Sequence, residues 1–185
     1  MSSLFFQKFW DVVGLDLTHM VLDFLNKGVG NIAGINKTYI VLIPKIKNSR
    51  KVSDFRPISL CNVVYKVISK VLANRLKVIL PSLIAESQSA FVPGRLISDN
   101  ILVAFEILHW LKNKKGGNNG HLALKLDVSK AYDRVEWPFL ESIMLHMGFH
   151  PRWVALIMQC VSSVSFAVLI NGDLKGCIKP SRGLR

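Results

Sequence analysis

Two carboxylates, Asp127 and Asp133, are the residues in this sequence whose type and position could do chemistry. Asp127 ends the apolar, strand-like run that begins at His121 in the stretch HLALKLDVSKAYDRVEW. A strand end holds a side chain rigidly, and a carboxylate there can bind Mg²⁺, which usually takes one or two carboxylates together with substrate phosphates. Two such ions stabilise the attacking and leaving oxygens of phosphoryl transfer. A second interpretation stays open, in which Asp127 caps the helix that follows or forms a surface ion pair.

The basic residues are concentrated in one part of the chain. The sequence carries 24 Lys and Arg against 12 Asp and Glu, which gives a formal net charge of +12. Between positions 45 and 95 the acidic residues are Asp54 and Glu86, whereas Lys or Arg stands at 45, 47, 50, 51, 56, 66, 70, 75, 77 and 95. A field of this kind favours a polyanion, most simply nucleic acid. A solvated basic face without a partner is the alternative.

Composition predicts one folded, intracellular domain, cytoplasmic or nuclear. With 185 residues and 50% hydrophobic content, the chain can bury a core. Its start, MSSLFFQKFWDVV, lacks the features of a secretory signal, and its three cysteines have no metal-ligand spacing and are expected to be reduced. The uncharged window 153–172 is long enough for a membrane span, but Gln159 and three serines interrupt it. We predict a buried helix followed by a strand there, and no membrane segment.

Periodicity and turn residues predict an α+β fold, because helices and strands mix without regular βαβ alternation. The predicted helices span 3–13, 17–28, 62–80, 137–147 and 152–162. A further helix is predicted from Ser98 or Asp99 to Lys112, and a short one that ends near residue 134. The predicted strands are 37–45, 121–127 and a hairpin in SFAVLINGDLKGCIKP, where NGD signals the turn. Loops are expected at 86–100, with a Pro-Gly turn, and around the glycines at 116, 117 and 120.

Four segments resemble, in order, the reverse transcriptase of non-LTR retrotransposons of the LINE type. They are LIPKIKNSRKVSDFRPISL, SQSAFVPGRLISDNIL, LKLDVSKAYDRVEW and VLINGDLKGCIKPSRGLR. Each motif is weak alone, but their order and spacing cover nearly the whole chain. The resemblance implies part of a right-handed polymerase fold. It places an N-terminal helical segment at 1–35, a fingers-like region at 36–115 and an incomplete palm-like region at 116–185, with the thumb absent.

The resemblance implies specific roles for the residues that follow the predicted strand. Asp127 matches the first metal-binding, catalytic aspartate of the palm, and the carbonyl of Val128 would lie beside the same metal. The backbone amides near Lys130 and Ala131 would face the incoming triphosphate. Tyr132 would lie under the sugar and leave no room for a 2′-hydroxyl, with a core tyrosine as the alternative. The second carboxylate of the opening stretch is expected to be structural.

The same resemblance places basic residues where the fingers close over the triphosphate. These residues are Lys45, Lys47, Arg50 and Arg56, and the planar fork of arginine suits bidentate phosphate contact. Arg50 is the preferred triphosphate ligand, and Lys47 is also assigned to nucleic-acid binding. Arg56 has a structural alternative, in which it fixes the fingers through buried hydrogen bonds.

The segment SQSAFVPGR is expected to lie along the template strand. Phe91 would stack on the template or pack beneath it, and Arg95 would meet phosphate. Packing in the core is the alternative for Phe91.

Cofactor and partners also follow from the resemblance. The complete enzyme is expected to use Mg²⁺, an RNA template, a DNA primer and deoxynucleoside triphosphates. In this family a glutamine-glycine segment follows RGLR and a pair of aspartates comes later, whereas this sequence stops at Arg185 and contains no Asp-Asp pair. We therefore expect weak or absent metal binding, no polymerase activity from this chain alone, and self-association because the hairpin and strand 121–127 lack their usual partners. The alternative hypothesis is a non-catalytic nucleic-acid-binding remnant of a retrotransposon. A third hypothesis is a decayed transposon product without selected function.

Overall fold

The computed structural model describes residues 2–28, 31–114, 116 and 120–184. Their contacts group them into two compact units, the first formed by Met1–Leu72 with Lys130–Arg185 and the second by Ala73–Ser129. The division differs from the predicted boundaries at residues 36 and 116. As assignments to fingers and palm, those boundaries remain predictions.

Helices and strands are mixed along the chain, which confirms the α+β class. The helices are α1 (Ser3–Lys8), α2 (Trp10–Lys27), α3 (Ile32–Ile35), α4 (Val63–Leu83), α5 (Ile97–Asn113), α6 (Trp137–His146) and α7 (Pro151–Ser162), and the strands are β1 (Lys37–Pro44), β2 (Phe55–Leu60), β3 (Ser165–Ile170) and β4 (Asp173–Ile178). Short 3₁₀ turns occupy Val52–Asp54 and Ala131–Arg134. None of the helices in the described residues is long and apolar enough to cross a membrane.

The core of the first unit lies between α2, α3, α4 and α7. Leu17, Val21 and Phe24 recur on α2 at the three- and four-residue spacing that aligns side chains on one helix face. They pack with Ile68 of α4, which is 1% exposed, and with Leu156 of α7. The apolar stripe predicted for residues 62–80 therefore faces this core in its first turns.

One four-stranded sheet, with the order β2-β1-β3-β4, completes the first unit. β1 pairs antiparallel with β2, from Tyr39 opposite Leu60 to Pro44 opposite Phe55. On its other edge β1 pairs parallel with β3, beginning with Lys37 opposite Ser165. The strands of the predicted fingers-like region and of the predicted palm-like region thus share one sheet.

The second unit is built from the end of α4, the loop that follows it, and α5. Ser89 is 5% exposed and donates its hydroxyl to Asn100 Oδ1 at 2.9 Å, which fastens the loop to α5. Near the end of α5, Lys114 donates a hydrogen bond to the His121 imidazole, and that ring packs edge-on against Trp110. The start of segment 121–128 is therefore anchored to α5.

Most predicted elements are confirmed, but the break predicted between helices 3–13 and 17–28 lies instead at Phe9, between α1 and α2. The hairpin turn is confirmed, with Asn171 and Gly172 both at positive φ, as a two-residue turn of this type requires. The window 153–172 contains α7 and then β3, as predicted, and the three cysteines are free thiols. Helix α5 begins at Ile97 after Leu96, so neither Ser98 nor Asp99 caps it.

The strand predicted at 121–127 does not form. A strand needs a neighbour to accept its ladder of hydrogen bonds, and within the described residues no segment pairs with this one. Its alternate apolar side chains stay in solvent, with Leu122 88% exposed and Leu126 80% exposed. The hairpin pairs with β1 through β3, but β4 lies at the edge of the sheet with all six of its residues exposed, so the expected open edge is present in the described residues. Self-association remains a prediction.

Candidate nucleotide and nucleic-acid site

The connection between β1 and β2, residues 45–54, forms an exposed basic loop. Lys47, Arg50 and Lys51 are exposed there, and no ion pair within the described residues neutralises them. Arg56 stands opposite Ile43 at the start of β2 and is also exposed, so the buried structural role considered for it is not observed. The loop therefore presents several unneutralised cations on a short two-stranded support.

Two residues hold the backbone of the basic loop. The amide of Lys45 donates to the carbonyl of Asp54 at 2.8 Å, and the Lys45 ammonium donates to the carbonyl of Ser53 at 3.0 Å. The Asp54 carboxylate accepts the amides of Arg50 and Lys51 at 3.0 and 2.9 Å. These bonds, from Lys51 first and then Arg50, hold the pKa of Asp54 below its usual value. The carboxylate therefore stays ionised at neutral pH.

The segment AYDRVEW lies directly against the RGL segment near the chain end. The amide of Leu184 donates to the carbonyl of Tyr132, and the amide of Gly183 donates to the carbonyl of Val135, both at 2.8 Å. The indole nitrogen of Trp137 in turn donates to the carbonyl of Gly183 at 2.9 Å. Two motifs about fifty residues apart in sequence are therefore joined through their backbones.

Tyr132 lines a largely apolar cleft beside this junction. The cleft has a volume of about 540 Å³, and its other walls come from β1, β3, α7 and the chain end. Ile40, Phe166, Cys160 and Leu184 are among its lining residues. Tyr132 is 58% exposed, so its ring is a wall of the cleft and the core alternative for this residue is wrong.

A buried polar network supports the back of the cleft. Asn36 is 2% exposed and donates to the carbonyl of Cys160 and to the hydroxyl of Ser163, both at 2.9 Å. The hydroxyl of Tyr65 donates to the same carbonyl of Cys160 at 2.9 Å, and burial raises its pKa to about 12. The end of α7 is therefore tied to α4 and to the start of β1, which fixes the wall that faces Tyr132.

Gly183 is the residue in this junction that tolerates no side chain. Its φ is +93°, and an added Cβ would lie 3.1 Å from the carbonyl oxygen and 3.2 Å from the Cα of Asp133. Both contacts are with backbone, which cannot turn aside as a flexible side chain would. A glycine is therefore required here for conformation and for close approach.

We expect Gly183→Ala to lower the free energy of unfolding by about 1–3 kcal/mol, the usual cost of a strained backbone position. Urea titration of the 185-residue chain measures it. Gly172→Ala is the matched control, because Gly172 has φ +88° but nothing within 4 Å of an added Cβ. Equal losses for the two variants would contradict the close approach to Asp133.

The candidate metal ligands lie in the second unit, in the segment without regular structure. Asp127 is exposed and the Val128 side chain is 60% exposed. The described residues contain no group of three or more His, Cys, Asp or Glu that could hold a metal ion. Asp127 and the Val128 carbonyl are oxygen ligands of the kind that Mg²⁺ takes, and the remaining ligands of such a site would come from substrate phosphates, water or further carboxylates.

Phe91 and Arg95 occupy the loop of the second unit in different ways. Phe91 has φ +64° and is 80% exposed, which rules out the core alternative and leaves an aromatic ring in solvent. The Arg95 guanidinium donates to four backbone carbonyls, those of Pro81, Ile84, Ala85 and Gln88, at 2.6–3.3 Å. Arg95 thus closes the C-terminal end of α4, a role that the sequence did not suggest. Its predicted phosphate contact remains a prediction.

Lys130 directly precedes the 3₁₀ turn Ala131–Arg134, which contains Ala131 and Tyr132. Lys130 has φ +55°, in the left-handed region, and its carbonyl accepts the amide of Asp133 at 3.0 Å. The turn exposes Lys130 and Ala131 to solvent. Three predicted site residues, Lys130, Ala131 and Tyr132, therefore lie side by side next to the cleft.

The family of the chain is clear from its match to known proteins. Residues 43–185 match the family model described as reverse transcriptase (RNA-dependent DNA polymerase). The chain therefore belongs to the reverse transcriptase family.

A more particular similarity is to a transposon protein. The chain is 32% identical over 181 residues to the "Transposon TX1 uncharacterized 149 kDa protein" of Xenopus laevis, and the match covers 98% of this chain but 14% of that protein. The predicted similarity to a reverse transcriptase of a non-LTR, LINE-type retrotransposon is confirmed. The chain spans only a small part of the length of this relative.

Proposed function

We propose that this chain is the nucleotide-binding and template-binding part of an RNA-directed DNA polymerase that extends a DNA primer on an RNA template. The observation that carries the proposal is the backbone junction between AYDRVEW and RGL beside a cleft, in a chain of the reverse transcriptase family. In this proposal residues 36–115 serve as fingers and residues 116–185 as the first part of the palm. Primer extension by a longer protein that contains this chain tests the function.

The basic loop supplies the triphosphate ligands in this proposal. Lys45, Arg50 and Arg56 meet the incoming deoxynucleoside triphosphate, and the amides near Lys130 and Ala131 face it from the 3₁₀ turn. The exposed, unneutralised cations of the loop support this role, because a triphosphate binds where cations are not already paired. Arg50 remains the preferred ligand, since its guanidinium can bind a phosphate in two-pronged geometry.

Tyr132 selects the sugar in this proposal, because its exposed ring forms a wall of the cleft. In a complete enzyme, we expect Tyr132→Ala to incorporate ribonucleotides that the parent enzyme excludes. Tyr132→Phe is the matched control and should keep the exclusion, since it retains the ring and loses only the hydroxyl. Competition between a ribonucleotide and its deoxynucleotide during primer extension measures the ratio. Unchanged selectivity in Tyr132→Ala would remove the sugar-gate role.

The template contacts come from the loop of the second unit and from the basic loop. Phe91 offers an exposed ring on which a base can stack, and such stacking contributes about 1–3 kcal/mol per base. Lys47 contributes a phosphate contact. Arg95 contributes another through its Nε–H, because its four carbonyl partners are bound by the two terminal nitrogens.

Exposed apolar side chains of α5, such as Phe105 and Trp110, support self-association of the chain, which sedimentation would detect.

Asp127 and the carbonyl of Val128 contribute to a Mg²⁺ site in the complete enzyme, and the two ions of such a site assist nucleotidyl transfer. The chain alone holds the ion weakly and is inactive in this proposal, because its described residues contain no group of three or more His, Cys, Asp or Glu that could hold a metal ion. The exposed basic loop equally favours a second candidate, a nucleic-acid-binding remnant without chemistry. Magnesium-dependent extension by a completed protein separates the two.

A further inference from the structure

Asp54 accepts hydrogen bonds from four residues of the basic loop. Its carboxylate oxygen Oδ2 accepts the amides of Arg50 and Lys51 at 3.0 and 2.9 Å, and Oδ1 accepts the Ser53 hydroxyl at 3.4 Å. Its own carbonyl accepts the amide of Lys45 at 2.8 Å. The Asp54 side chain therefore holds the backbone that carries the central cations, whereas the closing pair with Lys45 uses only the main-chain carbonyl at this position.

The charge of Asp54 is unfavourable for the ligand proposed for this loop. A carboxylate among lysines and arginines reduces the local positive potential, so simple Coulomb attraction to a triphosphate would be stronger without it. The carboxylate nevertheless accepts two backbone amides and stays ionised, which is a common way for an aspartate to fix a turn. Its contribution is therefore to the geometry of the loop.

We infer that Asp54 is a positioning residue for phosphate binding, which fixes the backbone at Arg50 and Lys51 so that their cations are presented together. An unrestrained loop would have to be ordered when the ligand binds, and that entropy cost lowers affinity. Asp54 orders the backbone beforehand. The inference rests on the proposed role of the basic loop and adds a residue that touches no ligand.

The test compares two substitutions that change the net charge equally. Asp54→Ala removes the charge and the acceptor, whereas Asp54→Asn removes the charge and keeps an amide oxygen that can accept the two amides. We expect the alanine variant to bind inorganic tripolyphosphate about 3- to 10-fold more weakly than the asparagine variant, the range for losing a modest hydrogen-bonded restraint. Titration calorimetry of the 185-residue chain at low salt measures both. Asp16→Asn, on the exposed face of α2, is the control for the charge change alone.

A double-mutant cycle tells positioning from a general loss of structure. In a background with Arg50→Gln and Lys51→Gln together, the difference between Asp54→Ala and Asp54→Asn should disappear, because the restraint acts through these two cations. A merely structural role would leave the difference in place. Amide exchange gives a measurement on the wild-type chain that needs no folded variant: the amides of Arg50 and Lys51 should be protected, and unprotected amides would overturn the inference.

The outcomes separate this inference from the function on which it rests. If wild type binds tripolyphosphate through Arg50 but the two Asp54 variants bind equally, the positioning role is overturned and the loop keeps its function. If wild type does not bind, or Arg50→Gln has no effect, the proposed role of the loop fails and the inference fails with it.

Discussion

Asp127→Asn is expected to abolish primer extension in a completed polymerase that carries this chain together with a family-like aspartate pair. Asparagine has the same shape but lacks the charge that holds a hard divalent ion, and losing such a contributor costs about 10²–10³ in rate. Binding of the primer and template should stay nearly unchanged, because the substitution removes little phosphate affinity. Primer extension with Mg²⁺ and a binding titration measure the two effects on the same preparation.

Asp173→Asn is the matched control for that experiment. Asp173 lies at the exposed start of β4 and pairs with Lys175 at 3.3 Å, so removal of its charge should leave extension intact. Full activity of Asp127→Asn would show that this aspartate is only a surface charge, since the 3₁₀ turn that follows begins after Lys130 and has no side-chain cap. Extension by the unmodified 185-residue chain would contradict the proposal that it is inactive alone.

Nucleic-acid binding by the 185-residue chain is expected to fall by about 100-fold between 50 and 200 mM salt. The exposed cations of the basic loop with Arg56 would displace about five counterions from a single-stranded RNA, and each contributes about −0.7 to the logarithmic salt slope. Sequence should matter little, since phosphate contacts carry no base information. Fluorescence anisotropy with an unstructured RNA across a salt series measures the slope.

Two pairs of lysines provide the control for the salt prediction. Lys47→Gln with Lys51→Gln should flatten the slope by about 1.4, because both cations are exposed and unpaired. Lys27→Gln with Lys175→Gln should leave it nearly unchanged, since each of these lysines already pairs with an aspartate, Asp23 and Asp173 respectively. A slope that is flat in the wild type, or equal for both pairs, would remove the basic loop as the nucleic-acid surface.

The local elements of the fold could be predicted from the sequence where a single helix or turn determines them. The stripe on α4 and the Asn171-Gly172 turn both follow from short-range rules, and both are observed. The segment at 121–127 has a strand pattern but no pairing segment in the described residues. Strand pairing depends on residues that are distant in sequence. A local pattern therefore predicts neither the unpaired state of segment 121–127 nor the parallel pairing of β1 with β3.

The candidate site was predictable in its residue types but not in its supports. The exposed loop cations and the position of Tyr132 follow from motifs and charge. Asp54, Asn36 and Gly183 were missed, because their roles depend on backbone groups brought close by the fold. Asp54 had one local signal, an acidic residue three positions after Lys51 in an otherwise basic loop, which is the spacing at which a side chain at N3 accepts the N-cap amide of a helical turn.

The parallel pairing of β1 with β3 also affects how the chain folds while it is being synthesised. Asn36, just before β1, makes its hydrogen bond to Ser163 across 127 residues of sequence. A ribosome adds about 5–20 residues per second, so the β3-facing edge of β1 waits roughly 6–25 seconds for its partner. During that interval β1 exposes unpaired backbone groups, which are a template for pairing with other chains. Closing so long a loop also slows folding. The nascent chain therefore passes through a period in which binding by a chaperone would lower the risk of such pairing.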